Sequence, residues 1–380
     1  MAEKVIVFGC GLVGATMARD LAADAGFDVA VADINPDNLR ALDVQENIKK
    51  LRVDLGDAAR VRELVKDFDV VVAGLPSSMG FQTLRTVIEC GRPYCDITFM
   101  PEDALQLDEL AKKHGVTAVV DCGVSPGLSH LLVGCVYAQL DRTERATIYV
   151  GGLPKIRRWP FEYKAPFAPG DVLEVYTRPA RIMEHGHLVV MPALSDPELV
   201  DFSQVGTLEA FNSDGLRSLL ATVDIPNMKE KTLRYPGHCA LMRALRETGM
   251  LGKSQIDVHG VKIRPFDVTS KLLFNQWKLH PDEEEFTVMR VVVEGIKDKQ
   301  RVRHTYELYD EYDGAAGVSS MARTTGFPSV IMARMVARGQ FREPGVFPPE
   351  LLAQHRGLVD HMLTELADRG VTIEHCVEAV

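Results

Sequence analysis

No uninterrupted apolar run in the chain approaches the ~20 residues of a membrane span, and its first residues hold no basic segment followed by an apolar core. A membrane-embedded or exported protein is therefore not expected, and a cytoplasmic one is. Basic charge is also in short supply: 43 lysines and arginines face 53 aspartates and glutamates, a formal net charge of -10. That balance argues against a nucleic-acid surface, which draws on clustered lysine and arginine. The short cluster Lys155-Ile156-Arg157-Arg158 reads as a solvated loop, and the acidic run from Asp282 to Glu285 as a solvated turn. Seven cysteines, at 10, 90, 95, 122, 135, 239 and 376, are odd in number and lack the paired CxxC spacing of a zinc site. No metal is expected, and Cys90 and Cys95 read as two small packing residues flanking a turn. There is no internal repeat and no low-complexity tract. What remains is ordinary for a soluble globular protein of two or three domains: 380 residues, 46% hydrophobic and 25% charged.

Against that background one element is specific. Gly9-Cys10-Gly11-Leu12-Val13-Gly14 is a GxGxxG between an apolar strand, Lys4 to Phe8, and a helical pattern, Ala15 to Leu21. The first glycine permits a tight turn, the second lets backbone approach a pyrophosphate, and the third allows close packing of helix on strand. A second strand, Asp28 to Ala32, ends at Asp33, where the dinucleotide fold places an acid on the adenosine ribose hydroxyls. An acid there favours NAD, because a 2′-phosphate would meet carboxylate repulsion; the next basic residue, Arg40, lies seven positions on.

Alternation continues with a helix over Pro36 to Lys50, strand Leu51 to Val53, helix Asp57 to Lys66 and strand Asp69 to Gly74. A helix from Phe81 to Cys90, strand Pro93 to Asp96, helix Glu102 to His114 and strand Val116 to Val120 follow. This is the pattern of an α/β doubly wound parallel sheet of the Rossmann type. Asp54, Leu75, Pro76, Ser77 and Asp96 stand at carboxyl ends of its strands, where ligands of open sheets bind, and join Gly9, Gly11, Leu12, Val13, Gly14 and Asp33 as expected cofactor contacts. Beyond residue 140 the texture becomes that of a second, α+β domain. Its clearest element is an antiparallel hairpin pairing Phe286 to Gly295 with Arg301 to Tyr309. The stretch from Pro154 to Pro169 reads as a loop rich in proline and aromatics. Ser319 to Arg338 and Leu351 to Arg369 read as helices.

Three segments carry candidate chemistry. Asp121 to His130 closes the last parallel strand and opens a helix; Asp121 could hold a substrate ammonium, and His130 could transfer protons near neutral pH. In Lys231 to His238, Arg234 is a natural bidentate partner for an amino-acid carboxylate, with Tyr235 and His238 as hydrogen-bonding and acid–base groups. Trp159 to Lys164 is an aromatic loop that could close over a substrate or pack beneath a long loop.

These residues, in this order, resemble the saccharopine dehydrogenase-like superfamily, and within it the lysine 6-dehydrogenase branch. The resemblance rests on the GxGxxG at 9 to 14, Asp-x-Gly-x-x-Pro-Gly at 121 to 127, and Tyr176 to Ala180. It continues through Gly206 to Phe211, Thr232 to His238, Met321 to Arg323 and Gly345 to Glu350. It implies a Rossmann domain (1–125) completed by C-terminal helices (321–380), with an α+β substrate and dimerisation domain between them (126–320), in a homodimer or higher homo-oligomer. It also implies NAD-dependent oxidation of an amino-acid side-chain amine, lysine first, with Arg234 on the α-carboxylate, Asp121 near the nicotinamide, and His130 or His238 managing protons. A saccharopine-type reductase is the alternative. Ser125 and Ser129 stand where that type commonly has acids, while His130 follows its pattern. A non-catalytic dinucleotide-binding regulatory protein is the third reading.

Overall fold

Val5 to Phe8, Val29 to Ala32 and Val70 to Ala73 are buried on both faces, as strands of a covered parallel sheet must be. In the computed structural model, which describes residues 2–165, 169–280 and 283–380, they belong to β1 (Glu3–Phe8), β2 (Phe27–Asp33) and β4 (Val70–Ala73). β3 (Ile48–Arg52), β5 (Tyr94–Asp96), β6 (Thr117–Val119) and the strand Gly345–Phe347 complete a seven-stranded parallel sheet. Its order is Gly345–Phe347, β6, β5, β4, β1, β2, β3. Strand order reverses between β1 and β4, the switch point above which open α/β sheets bind ligands. Helices α1 (Leu12–Ala22), α2 (Pro36–Arg40), α3 (Ala58–Leu64), α4 (Ser77–Glu89), α5 (Asp108–His114) and α6 (Leu128–Tyr137) follow in chain order.

The helix expected over Pro36 to Lys50 stops at Arg40. Ile48 is needed beside Val29 in the sheet, so the chain turns through 41–44 and leaves Val44 exposed. The last helix is likewise broken, into Pro349–Leu352 and Leu358–Asp368, with Gly357 at φ 80° between them.

The chain divides into two compact units. The first holds Met1–Gln139, Arg217–Val223 and Ala322–Thr372; the second holds Leu140–Leu216, Asp224–Met321 and Ile373–Val380. α6, beyond the boundary expected at 125, stays in the first unit because its buried face packs on Pro349–Leu352, with Gly134 against the backbone of Glu350. The final residues, expected to end among helices, form a strand of the second unit.

The second unit is built on a mixed sheet in the order Glu198–Phe202, Gly206–Asn212, Met228–Arg234, Arg142–Pro154, Glu285–Lys297, Gln300–Glu311, Ile373–Ala379. The expected hairpin is present and longer, in unbroken register from Phe286↔Glu311 to Lys297↔Gln300. Helices Pro169–Thr177, His238–Glu247 and Pro265–Trp277 contribute to an aromatic-rich core with Phe211. Residues 166–168 of the expected loop and Asp282 of the acidic run lie outside the described residues. Glu285, expected in a solvated turn, is buried and accepts from the Met321 amide. No helix among the described residues is long and apolar enough to cross a membrane.

Candidate active site

In the first unit β1 runs into the expected glycine turn. Gly9 has φ 90°, and a Cβ there would lie 2.5 Å from the Gly74 carbonyl oxygen. A Cβ on Gly14 would overlap the Gly9 carbonyl, so α1 can approach the strand only with a glycine at that point. Gly11, the N-cap of α1, has nothing within 4 Å of its Cβ position, and no side chain caps the helix. Leu12 and Val13 begin the helix. The turn thus presents bare backbone amides at a helix N-terminus, which fits the pyrophosphate of a dinucleotide.

Asp33 closes β2 and does two jobs. Its Oδ2 accepts from the Cys10 amide at 2.7 Å and from Asn38 Nδ2 at 3.1 Å, and its Oδ1 accepts from the Asn35 amide at 2.7 Å. It therefore fixes the glycine turn while keeping a carboxylate at the ribose end of the strand. Arg40 is paired with Asp37. Arg52, which sequence spacing does not pick out, stands exposed opposite Asp33 in the β2–β3 register. Leu75 is buried, its amide donating to Thr98 Oγ1 at 3.1 Å; Pro76 is the N-cap of α4 and Ser77 its first residue. Asp54 is exposed past β3 and accepts from the Gly56 amide.

At the other end of the sheet two expectations change. Asp96 is wholly buried rather than presented to a cofactor, and burial pushes its carboxyl up to about 7 although the Thr98 amide donates to it at 2.7 Å. Asp121, at φ 52°, is already paired: Arg217 Nε and Nη2 reach its two oxygens at 3.1 and 3.2 Å, with both side chains 6% exposed. Arg217 also donates to the Met100 carbonyl and lies over the Phe99 ring at 4.6 Å. The carboxylate expected to hold a substrate ammonium is the counter-charge of a buried arginine that the sequence reading missed. His130 is also wholly buried, with Nδ1 3.0 Å from Ser129 Oγ, which donates to Ser125 Oγ.

In the second unit, the alternation of the strand Met228–Arg234 carries Glu230, Thr232 and Arg234 on one face. Arg234 is 4% exposed. Its Nε donates to Tyr176 Oη at 3.0 Å, its Nη1 to the Leu233 carbonyl at 2.8 Å, and its guanidinium lies 4.3 Å from the Tyr163 ring centroid. Among the described residues no acid pairs with it, and its Nη2 makes no hydrogen bond. The other two buried cations among the described residues of this unit are spent: Lys164 on Glu283, and Lys231 on Asp196 and Glu198.

Tyr176, which the sequence marks only as the start of the Tyr176 to Ala180 segment and not as a site residue, is the hub. Because its oxygen accepts from Arg234, its proton goes to His238 Nε2 at 3.0 Å, and His238 Nδ1 then donates to the Phe161 carbonyl at 2.8 Å. Both imidazole nitrogens are engaged. Burial, reinforced by Arg234, pulls the ring pKa down to about 3, so His238 is a neutral positioning residue and not the proton carrier expected. Tyr235 is likewise engaged, its hydroxyl donating to the Pro154 carbonyl at 2.9 Å.

This has a pH consequence with a definite sign. Above pH ~6.5 the ring is neutral in both folded and unfolded chains; as pH falls from there toward 3, the unfolded chain binds a proton that the folded one does not, and stability is lost. His238→Gln is expected to be less stable than the parent at neutral pH, with the gap narrowing toward the acid end of that window in denaturant titrations. A pH-independent gap would contradict the assignment.

The aromatic loop divides. Trp159 is 86% exposed, whereas Phe161 and Tyr163 pack edge-on against Trp277 at 5.5 and 5.1 Å. Lys155, Arg157 and Arg158 are all paired with acids, Lys155 with Glu284 and Glu311, Arg157 with Glu162, and Arg158 with Glu283. This basic loop is therefore internally neutralised. All seven cysteines are free thiols.

The sequence profile of the saccharopine dehydrogenase NADP binding domain matches residues 5–119, and that of the saccharopine dehydrogenase C-terminal domain matches residues 123–371. Mitochondrial alpha-aminoadipic semialdehyde synthase of Mus musculus is 20% identical over 426 residues, covering 91% of this chain and 45% of its own length. This chain thus spans less than half of that relative. Carboxyaminopropylagmatine dehydrogenase of Synechocystis is 22% identical, with 97% of this chain and 96% of the relative covered. The solved apo saccharopine dehydrogenase (L-Glu forming) of Saccharomyces cerevisiae superposes with a TM-score of 0.82 at 20% identity over the whole of both chains, which establishes a shared fold.

Proposed function

The chain belongs to the saccharopine dehydrogenase family, and from that premise we propose that it is an oxidoreductase, an NAD-dependent dehydrogenase of an amino-acid side-chain amine, with L-lysine as first substrate. The observation that carries this reading is Arg234, a buried guanidinium whose Nη2 is unspent and which, among the described residues, has no acid in salt-bridge contact, the buried Glu230 on the same strand face feeling its charge only at longer range. Burying such a cation is costly unless something pairs with it, and a substrate carboxylate would do so. Tyr176 and His238 hold the fork in place. Gly9 to Gly14 would hold the pyrophosphate, with Asp33 at the ribose. The bound dinucleotide supplies the hydride acceptor. The substrate's amine-bearing carbon gives up a hydride to that acceptor and its nitrogen releases a proton, and water hydrolyses the resulting imine to aldehyde and ammonia.

A single unspent buried cation among the described residues of the second unit suits a substrate with one carboxylate. The relatives' names, which include saccharopine dehydrogenase and carboxyaminopropylagmatine dehydrogenase, favour a secondary amine as the second reading. Initial rates of dinucleotide reduction with lysine, ornithine and saccharopine, each with NAD and NADP at alkaline pH, separate the two. The proposal expects lysine with NAD to be fastest; saccharopine alone being oxidised would favour the second reading.

NAD is preferred on the Asp33 charge. Asp33→Asn keeps an acceptor for the Cys10 amide and removes the charge opposite Arg52, so it is expected to improve kcat/KM for NADP relative to NAD by about 10-fold, or ~1.4 kcal/mol. An unchanged ratio in steady-state assays would remove Asp33 from cofactor selection.

A further inference from the structure

We propose that the Tyr163 hydroxyl is the second donor to the substrate carboxylate, completing with Arg234 Nη2 a clamp that selects amines carrying a carboxylate. This rests on the reading of Arg234 given above. Tyr163 is 4% exposed and its hydroxyl makes no hydrogen bond among the described residues, yet it is not one of the fully enclosed polar atoms, so the hydroxyl remains open to a ligand. The ring lies under the Arg234 guanidinium at 4.3 Å and meets His238 and Trp277 edge-on at 5.5 and 5.1 Å. It therefore has little freedom to swing its hydroxyl toward another partner.

The contrast with its neighbours is informative. Tyr176 spends its hydroxyl on both Arg234 and His238, and Tyr235 spends its own on Pro154. A phenol on a buried ring whose hydroxyl is spent on no protein group is available to a ligand. Tyr163 and Arg234 are in direct contact, and each retains unspent donor capacity. Burial raises the Tyr163 pKa, so the phenol keeps its proton and can donate. A carboxylate has enough acceptor sites to take a guanidinium N–H and a phenol O–H together. A primary amine without a carboxylate uses neither.

Trp277, packed on the Tyr163 ring, offers a readout independent of turnover. The chain has two tryptophans, and the other, Trp159, is exposed. In a Trp159→Phe background, Trp277 fluorescence is titrated with L-lysine and with 1,5-diaminopentane, which is lysine without its carboxylate. Tyr163→Phe, which keeps the ring, is expected to weaken L-lysine binding about 10-fold, as loss of a hydrogen bond to a charged group does, and to leave 1,5-diaminopentane unchanged. No change for L-lysine, or equal loss for both ligands, overturns the clamp. Arg234→Met in the same titration tests the parent reading separately. If it leaves L-lysine binding intact, the Arg234 reading fails whatever Tyr163 does, and the clamp fails with it. Should the parent protein bind L-lysine no better than 1,5-diaminopentane, carboxylate selection is absent and both are refuted.

Discussion

Arg234→Met is expected to lower kcat/KM for L-lysine by about 100-fold, roughly 3 kcal/mol, while changing kcat/KM for 1,5-diaminopentane by less than about threefold. Methionine retains an unbranched apolar side chain of similar reach, so the aromatic surroundings of Tyr163, Tyr176 and Trp277 keep their packing. What is lost is the charge and its N–H fork. Loss of a uniform binding contact raises KM with kcat held; a fall in kcat as well would show that the carboxylate anchor also aligns the amine for hydride loss. Arg234→Lys is not expected to rescue, because an ammonium cannot serve Tyr176, the Leu233 carbonyl and a carboxylate in the same planar geometry. Equal losses for both amines would remove Arg234 from the carboxylate site.

The second large effect is on stability. Arg217→Met leaves Asp121 as a buried, uncompensated charge and strips the Met100 carbonyl of its donor. Breaking a buried pair from one side costs ~3–5 kcal/mol, which for a chain of this size corresponds to a fall in Tm of about 10 °C. Adding Asp121→Asn to Arg217→Met is expected to recover a large part of that loss, since the stranded charge is gone. The two single variants and the double form a thermal-unfolding cycle. A single-variant shift below about 2 °C, or a double variant less stable than Arg217→Met alone, would show that the pair does not hold the carboxyl ends of β5 and β6.

The sequence disclosed what local physics controls. The glycine turn is legible because Gly9 must adopt a positive φ and Gly14 must leave room for a carbonyl, constraints that act within six residues. The parallel strands are legible from unbroken buried runs. The strand Ile373–Ala379 is not: it is largely exposed and held by its pairing to Gln300–Glu311, so no apolar alternation marks it. Leu39 and Leu42 keep helical spacing past the true end of the helix that starts at Pro36, while the pairing of Ile48 with Val29 that ends it is a tertiary contact.

The site divides along the same line. Asp33 and Arg234 were visible as residue types in context. Arg217 was not, because the partner that gives it meaning is 96 residues away; an Asp-Gly turn at Asp214-Gly215 just ahead of it was the available local signal. Tyr176 and Tyr163 acquire roles only through contacts with Arg234 from separate parts of the chain. His238 and Asp121 look like free chemistry in the sequence because it shows the side chain and not the partner that already occupies it.

The central claim, hydride loss from the carbon bearing a side-chain amine, is tested most directly with L-lysine dideuterated at the ε-carbon and NAD. Mass analysis of the reduced cofactor is predicted to show one deuterium, and lysine deuterated at the α-carbon is predicted to transfer none. Deuterium arriving from the α-carbon, or no reduced cofactor from either substrate, would contradict the account.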